Sequence, residues 1–283
     1  MIANPAYPQG SFWWIDHAKF EGLRLSVTSA GQPDGIIESK ADTLYTVIPG
    51  GTAVVDLIGP IEKRPSVFGS FYGMSSAELI TAGIEQAASD RAVRNILIKI
   101  DSPGGSVDGL AELGDAVYKA RERKRVVAQI SGMAASAAYY VAAQAHRVFA
   151  GRMDLVGSIG AYLLLYDFSE SFEQAGVKPV LLASEGSDQK AAGAMGTEIT
   201  ADQQASLQKI VDAYGRDFRS AIVRGRGMTP DAVKEQSTGE LFMAEQALRS
   251  GLIDGIRTLS DTLYAMRPKT RRRATEAAVS LMD

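Results

Sequence analysis

Between Thr52 and Ala150, short apolar runs alternate with stretches of helical periodicity. The runs are "TAVVDLIG", "RNILIKI", "RVVAQIS" and "VFAG". This alternation limits the fold more than any other feature. Near-continuous aliphatic runs suit strands covered on both faces, and helical segments between them suit parallel pairing through crossovers. The class expected is therefore α/β. Ser75, followed by Glu78, is a capping-box signal for a helix running to about Ser89, and "SVDGLAELGDAVYKARER" predicts the next helix. Further strands are expected at "GAYLLLY" and "KPVLLAS", with a helix at "DFSESFEQAG" between them.

After Thr200 the pattern turns helical. Residues 200–225 are amphipathic, with Leu207, Ile210, Val211, Tyr214, Phe218 and Ile222 on one face. Thr229 and Pro230 supply N-cap and N1 signals for a following helix. "ELFMAEQALRSGLIDGI" predicts a short helix stopped at Gly251 and a last short strand. The two ends read differently. Residues 1–51 form an N-terminal arm rich in Pro, Gly and aromatics, whose Phe12, Trp13 and Trp14 suit either a small local core or a docking patch. Residues 263–283 form a basic tail, and the body between them is residues 52–262.

Composition removes several chemistries. With no cysteine, a disulfide framework, a thiol nucleophile and a Cys-type zinc site are excluded. A net charge of −3 gives no reason to expect a nucleic-acid partner. No apolar run has the length of a bilayer span, and no basic-then-apolar leader opens the chain, so the expectation is a cytoplasmic or released protein without a membrane partner. Only His17 and His146 are available for imidazole chemistry.

Two strand ends carry candidate sites. "KIDSPGGSVDG" follows the run "RNILIKI", where open α/β sheets place ligands. Gly104 and Gly105 leave backbone amides unobstructed there, as an oxyanion cradle needs. The structural alternative is an ordinary strand-to-helix turn. No GxxxxGK[ST] phosphate loop is present. The second site is "SGMAASAAYYVAAQA", residues 131–145, with a helix whose first turn is expected at residues 133–137. Ser136 is either a filler in a tightly packed helix or a nucleophile at its start, where small neighbours allow a substrate backbone to approach. No G-x-S-x-G elbow occurs. A serine nucleophile needs a base. His146 lies one helix length from Ser136 and His17 lies in the arm. A lysine serves if burial disfavours its ammonium. Lys190, in "SEGSDQKAAGAMG", follows an expected strand end among small residues. S-x-x-K spacings at Ser187 and at Ser206 to Lys209 have no companion motif and carry little weight.

Four blocks together resemble the signal peptide peptidase A (SppA-like) serine peptidase family, which has the ClpP/crotonase fold. They are "ILIKIDSPGGSV", "SGMAASAAYYVAAQAHRVFAG", "LVGSIGAYL" and "RGRGMT…GELFMAEQALRSGLIDGI", in the family's order. The resemblance implies a spiral of strand-strand-helix units with a helical C-terminal part, covering roughly residues 52–262. It implies Ser136 as nucleophile, a downstream lysine as general base, Ser158 as the residue orienting that lysine, and the amides of Gly105 and Ala137 as oxyanion hole. Lys190 is the only lysine between Lys178 and Lys209 and takes the base's place. Two departures stand out: Ala137 and Ala138 replace a frequent Gly-Gly pair, and the lysine segment has one residue more than the usual S-G-x-x-K. The resemblance implies no metal and no organic cofactor.

Membrane-bound members carry an N-terminal span. The arm seen here, without one, is similar instead to SppA-like prohead proteases of phages, which cleave scaffold and capsid proteins during head maturation. That implies polypeptide partners, a homo-oligomer, and action in the host cytoplasm or procapsid, with the arginine run at residues 271–273 leading toward a scaffold region. Other readings are a soluble bacterial SppA-like peptidase degrading signal peptides or other peptides, a catalytically silent assembly protein, and a crotonase-type acyl-CoA enzyme using carboxylates.

Overall fold

Four of the apolar runs lie side by side as parallel strands. The computed structural model describes residues 44–66, 69 and 71–268, together with the backbone of one further strand, β1, Phe12–Ile15. The remaining elements, in chain order, are β2 (Thr46–Ile48), β3 (Thr52–Ile58), β4 (Ile61–Glu62), β5 (Ser75–Ser76), α1 (Ala77–Ser89), β6 (Asn95–Ser102), β7 (Gly104–Ser106), α2 (Leu110–Ala120), β8 (Arg125–Ala135), α3 (Ala137–Ala142), β9 (Arg147–Ala150), β10 (Leu155–Gly157), β11 (Tyr162–Leu163), α4 (Ser169–Gln174), α5 (Ala201–Arg226), α6 (Pro230–Gln236), β12 (Leu241–Met243), α7 (Ala244–Arg249), β13 (Gly255–Ile256) and α8 (Leu259–Met266).

The described strands make two sheets. The larger runs β12-β10-β8-β6-β3-β2, with β9 on β8 and β13 on β9. Its centre is parallel: β3 with β6, β6 with β8, and β8 with β9 and then β10. Only the edge pairs β2–β3 and β10–β12 are antiparallel. The alternating pleat explains why "NILIKI" needs two covers. Ile96, Ile98 and Ile100 join Ile80 and Ile84 of α1 and Leu113 and Val117 of α2 in the main core. Leu97 points the other way, into a second cluster with Val127, Phe149 and Met266, closed by Leu259 and Leu263 of α8. Each fully buried aliphatic side chain contributes roughly 1.5–3 kcal/mol of transfer free energy, so both faces of this sheet stabilise the fold.

The smaller sheet runs β11-β1-β7-β4-β5. The antiparallel strand β1 is the only part of residues 1–43 described, so the side chains of Phe12, Trp13 and Trp14 lie outside the described residues, as do His17 and the tail from residue 269. Pairing therefore reaches into the arm at both β1 and β2.

Three local expectations are corrected. The α1 N-cap is Ser76, whose Oγ accepts from the Leu79 amide at 3.3 Å. Ser75 instead exchanges two hydrogen bonds with the backbone of Ile58, so its hydroxyl is already used. The helix containing the "AASAA" run starts at Ala137 and not near residue 133, because β8 continues to Ala135 to pair with β10. No strand forms at "KPVLLAS". Residues 177–184 are exposed and outside both sheets, with Val180 78% and Leu182 90% exposed. An apolar run becomes a strand only where a partner edge satisfies its backbone.

Of the two remaining helix starts, that at Thr229 is as expected, and that at Thr200 adds a cap to the expected amphipathic helix. Thr200 caps α5 in a reciprocal capping box with Gln203, and Thr229 caps α6 with Pro230 at its first position. Among the described residues, no helix is long and apolar enough to cross a membrane.

Candidate active site

Ser136 is the hinge between β8 and α3. Its φ is 52° and its ψ −121°, and Ser136 and Ser158 are the only described non-glycine residues with positive φ. Such conformations cost on the order of 1–3 kcal/mol and persist where the surroundings hold them. Here the holding contacts are backbone bonds. The Ser136 amide donates to the Gly157 carbonyl at 2.8 Å, and the Ser158 amide donates to the Glu240 carbonyl at 2.7 Å. A serine at a helix start ordinarily accepts from an amide of the first turn. The Ser136 hydroxyl makes no such cap bond, its backbone lying outside the extended region that capping residues adopt, and the residue is 2% exposed. A buried hydroxyl not spent on capping is available for chemistry.

The small residues around Ser136 let α3 sink wholly into the core. Ala137, Ala138, Tyr139, Val141 and Ala142 have no exposed surface. Tyr139 donates to the Leu252 carbonyl at 2.8 Å, and Gln144, just beyond the helix, donates to the Ala221 carbonyl of α5 at 3.0 Å. These bonds fix the axis along which Ser136 is presented.

The "SPGGS" segment forms β7, which packs against α3. Ser102 is fully buried, and its Oγ accepts from the Gly104 amide at 3.2 Å, shaping the turn out of β6. Gly105 pairs with Ile61 of β4, and a Cβ there would stand 2.1 Å from the Ile61 carbonyl oxygen. No other residue allows so close a backbone approach. The structure thus brings Gly105, Ser136, Ala137 and Ser158 onto neighbouring elements.

Lys190 is placed differently. It lies in an exposed run of turns between α4 and α5, its own amide bonded to the Ser187 carbonyl at 3.0 Å. Among the described residues, no hydrogen bond joins its ammonium to Ser136 or Ser158. The expected burial of this lysine does not occur within one chain.

His146 is engaged elsewhere. Its Nδ1 accepts from the Val126 amide at 3.1 Å, on the far side of α3. Burial, and then the nearby cations Arg121, Arg125 and Arg147, hold its pKa below the ordinary imidazole value.

One supporting residue was not legible in the sequence. On β8, Ser131, Gly132 and Met133 stand opposite Asp101 alone on β6, a bulge just before Ser136. Gly132 has φ 122°, and a Cβ on it would meet the Asp101 carboxylate at 2.6 Å. Asp154 fastens the bulge, accepting from the Gly132 amide at 3.0 Å and from the Gly151 amide at 2.6 Å. The turn "GRMD" is the sequence signal that corresponds to it, since Asp in a tight turn bonds backbone amides.

The comparisons with known proteins agree with this architecture. The model of the Clp protease family matches residues 50–153, and the mixed sheet of mostly parallel strands with helices is ClpP/crotonase-like. The head-tail preconnector protein GP5 of Enterobacteria phage P21 is 30% identical over 223 residues, covering 79% of this chain and 44% of that protein. The capsid assembly protease C of Escherichia phage lambda is 27% identical, covering 84% of this chain and 53% of that protein. The chloroplastic serine protease SPPA of Arabidopsis thaliana is 24% identical, covering 90% of this chain and 35% of that protein. The chain therefore spans about half or less of the length of these relatives. The model of peptidase family S49 matches residues 119–271, taking in Ser136, Ser158 and the helices that hold them. By that match, which runs over more than half of its length, the chain belongs to peptidase family S49.

Proposed function

We propose that this protein is a serine endopeptidase working through a Ser136–Lys190 dyad. The observation that carries the reading is the Ser136 hydroxyl, buried, not used as a cap, and held at positive φ beside Ser158. In the reaction, neutral Lys190 accepts the Ser136 proton as Oγ attacks the scissile carbonyl carbon, and the carbonyl oxygen becomes an oxyanion facing the amides of Gly105 and Ala137. The intermediate collapses to an ester on Ser136, and the amine leaves with a proton returned from Lys190. Water, deprotonated by the same lysine, then hydrolyses the ester. Ser158 orients the lysine.

The exposed position of Lys190 ties the dyad to assembly. It belongs to a segment with exposed Val180, Leu181, Leu182 and Met195, and the first half of α5 leaves Ile210 exposed. A homo-oligomer covering this apolar surface brings the segment against a packed surface and dries the lysine. The substrates are scaffold or capsid polypeptides of a phage head, by analogy with the relatives from phages P21 and lambda.

The test is labelling of the full chain with a fluorophosphonate, the modified residue being read by peptide mass spectrometry. Ser136 is the expected adduct. Labelling elsewhere, or none in the assembled protein, would remove the nucleophile and favour a silent assembly protein or a carboxylate-based enzyme. Co-expression with neighbouring head genes then reads the substrate, as defined cleavage products absent with Ser136→Ala.

A further inference from the structure

Strand β1 sits between β7, which carries Gly105, and β11, which follows Ser158 in the chain. It is antiparallel to β7, with Trp13 opposite Ser106, Trp14 opposite Gly105 and Ile15 opposite Gly104. It is antiparallel to β11 as well, with Phe12 opposite Leu163 and Trp13 opposite Tyr162. β7 and β11 therefore run in the same direction, and β1 fills the space of a single strand between them. On one side lies Gly105, on the strand that packs against the Ser136 helix. On the other lies β11, which the chain enters shortly after Ser158.

Strand edges take up extended chains through their backbone groups, with little regard to sequence. A peptidase needs such a slot, because a scissile bond must be presented extended, its carbonyl beside the nucleophile. We infer that the β7–β11 slot receives extended polypeptide antiparallel to both strands, and that the chain's own residues 12–15 occupy it in cis as a competitor of substrate. This rests on the serine peptidase reading above. A tethered segment competes at an effective concentration on the order of millimolar, so a dilute substrate meets a mostly filled slot. If β1 is docked nine-tenths of the time, about a tenth of the molecules are open, and its release raises turnover of dilute polypeptide about tenfold.

The experiment uses the full chain with Trp13→Pro and Trp14→Pro together. Successive strand residues direct their amides to opposite edges, so two prolines remove a donor from each side. Three quantities are read: fluorophosphonate labelling of Ser136, cleavage of unfolded casein, and amide exchange at residues 104–106 and 162–163. The expected result is Ser136 labelled in both forms, casein cleaved about tenfold faster by the variant, and faster exchange at both edges in the variant. A synthetic peptide of residues 10–17 should restore slow exchange and inhibit the variant competitively. Labelling in both forms with equal casein cleavage would overturn the inference and leave the serine reading standing. Labelling in neither form would overturn the serine reading, and the inference with it. Should the variant not fold, exchange in the unaltered protein decides: rapid exchange at residues 104–106 and 162–163 means that β1 does not fill the slot.

Discussion

The Ser136 amide and the Gly157 carbonyl meet at 2.8 Å, and this bond couples the turn that presents one serine to the strand that delivers the other. Ser158 follows Gly157 directly and is tied onward to Glu240. Two residues in conformations unusual for an L side chain are thus stabilised by one continuous set of backbone bonds between β8, β10 and the approach to β12.

Ser136→Ala is expected to abolish cleavage and labelling with a stability change below about 1 kcal/mol, since no cap bond is lost. Ser136→Gly is expected to be equally inactive but more stable, by about 1 kcal/mol, because glycine adopts φ 52° without a Cβ clash. Thermal unfolding of the two variants side by side reads the strain directly; a glycine variant no more stable than the alanine one would mean that the turn is unstrained.

Lys190→Arg keeps the charge at an exposed position, so folding and assembly should match the wild type. Guanidinium does not deprotonate at accessible pH, so on the proposed mechanism the variant lacks a general base. The expected outcome is a normal mass in light scattering with no cleavage of polypeptide. Near-normal cleavage would remove Lys190 from the dyad and move the search to Lys178 or Lys209.

Gly105→Ala forces a methyl group toward the Ile61 carbonyl and parts β4 from β7. Overpacking of this kind costs about 1–3 kcal/mol. If the Gly105 amide is an oxyanion donor, as proposed, displacing it lowers rates by roughly 10²–10³, so the loss of kcat should far exceed what the stability loss explains. Comparing kcat with the folded fraction from denaturant titration checks this.

Asp154→Ala leaves the amides of Gly132 and Gly151 without their side-chain acceptor; Gly132 is exposed and Gly151 half-buried, so the cost is about 0.5–1.5 kcal/mol per bond. Because the freed bulge leads into Ser136, labelling of that serine should slow even at temperatures where the variant is fully folded. Unchanged labelling would confine Asp154 to stability.

Acid should act through Asp254. Burial by itself would raise its pKa, but hydrogen bonds from Arg226, the Val148 amide and Arg147 outweigh it and hold the carboxyl below the usual range. Its folded-state pKa is depressed, so its stabilisation is present above the unfolded-state value and is lost as pH falls through the folded one. Removing one partner of so buried a pair costs about 3 kcal/mol. Asp254→Asn should therefore be less stable than wild type above about pH 5, with the gap closing below about pH 4. A gap independent of pH would show that packing and not charge is at work.

The strand runs from Thr52 to Ala150, the cap at Thr229, and the serine at the β8–α3 turn were legible because each depends on neighbours within a few residues. "KPVLLAS" misled for the complementary reason. Its composition is that of a strand, but no partner edge receives it, and the lysine beyond it stays exposed. Whether a lysine is buried depends on what packs over its segment, which no local pattern encodes.

By itself, then, the sequence determined the parallel α/β class and the residue types at the turns: glycine where Ile61 crowds the backbone, small residues where α3 is buried. These follow from periodicity, backbone sterics and side-chain volume, which act locally. Only the tertiary structure decided that Ser136 and Ser158 share a strained, hydrogen-bonded frame, that Asp154 anchors the bulge before the serine, and that residues 12–15 pair with Gly105 and Tyr162. Each of these joins segments distant in the chain, and such contacts form only when the assembled sheet repays the entropy of closing the loops between them.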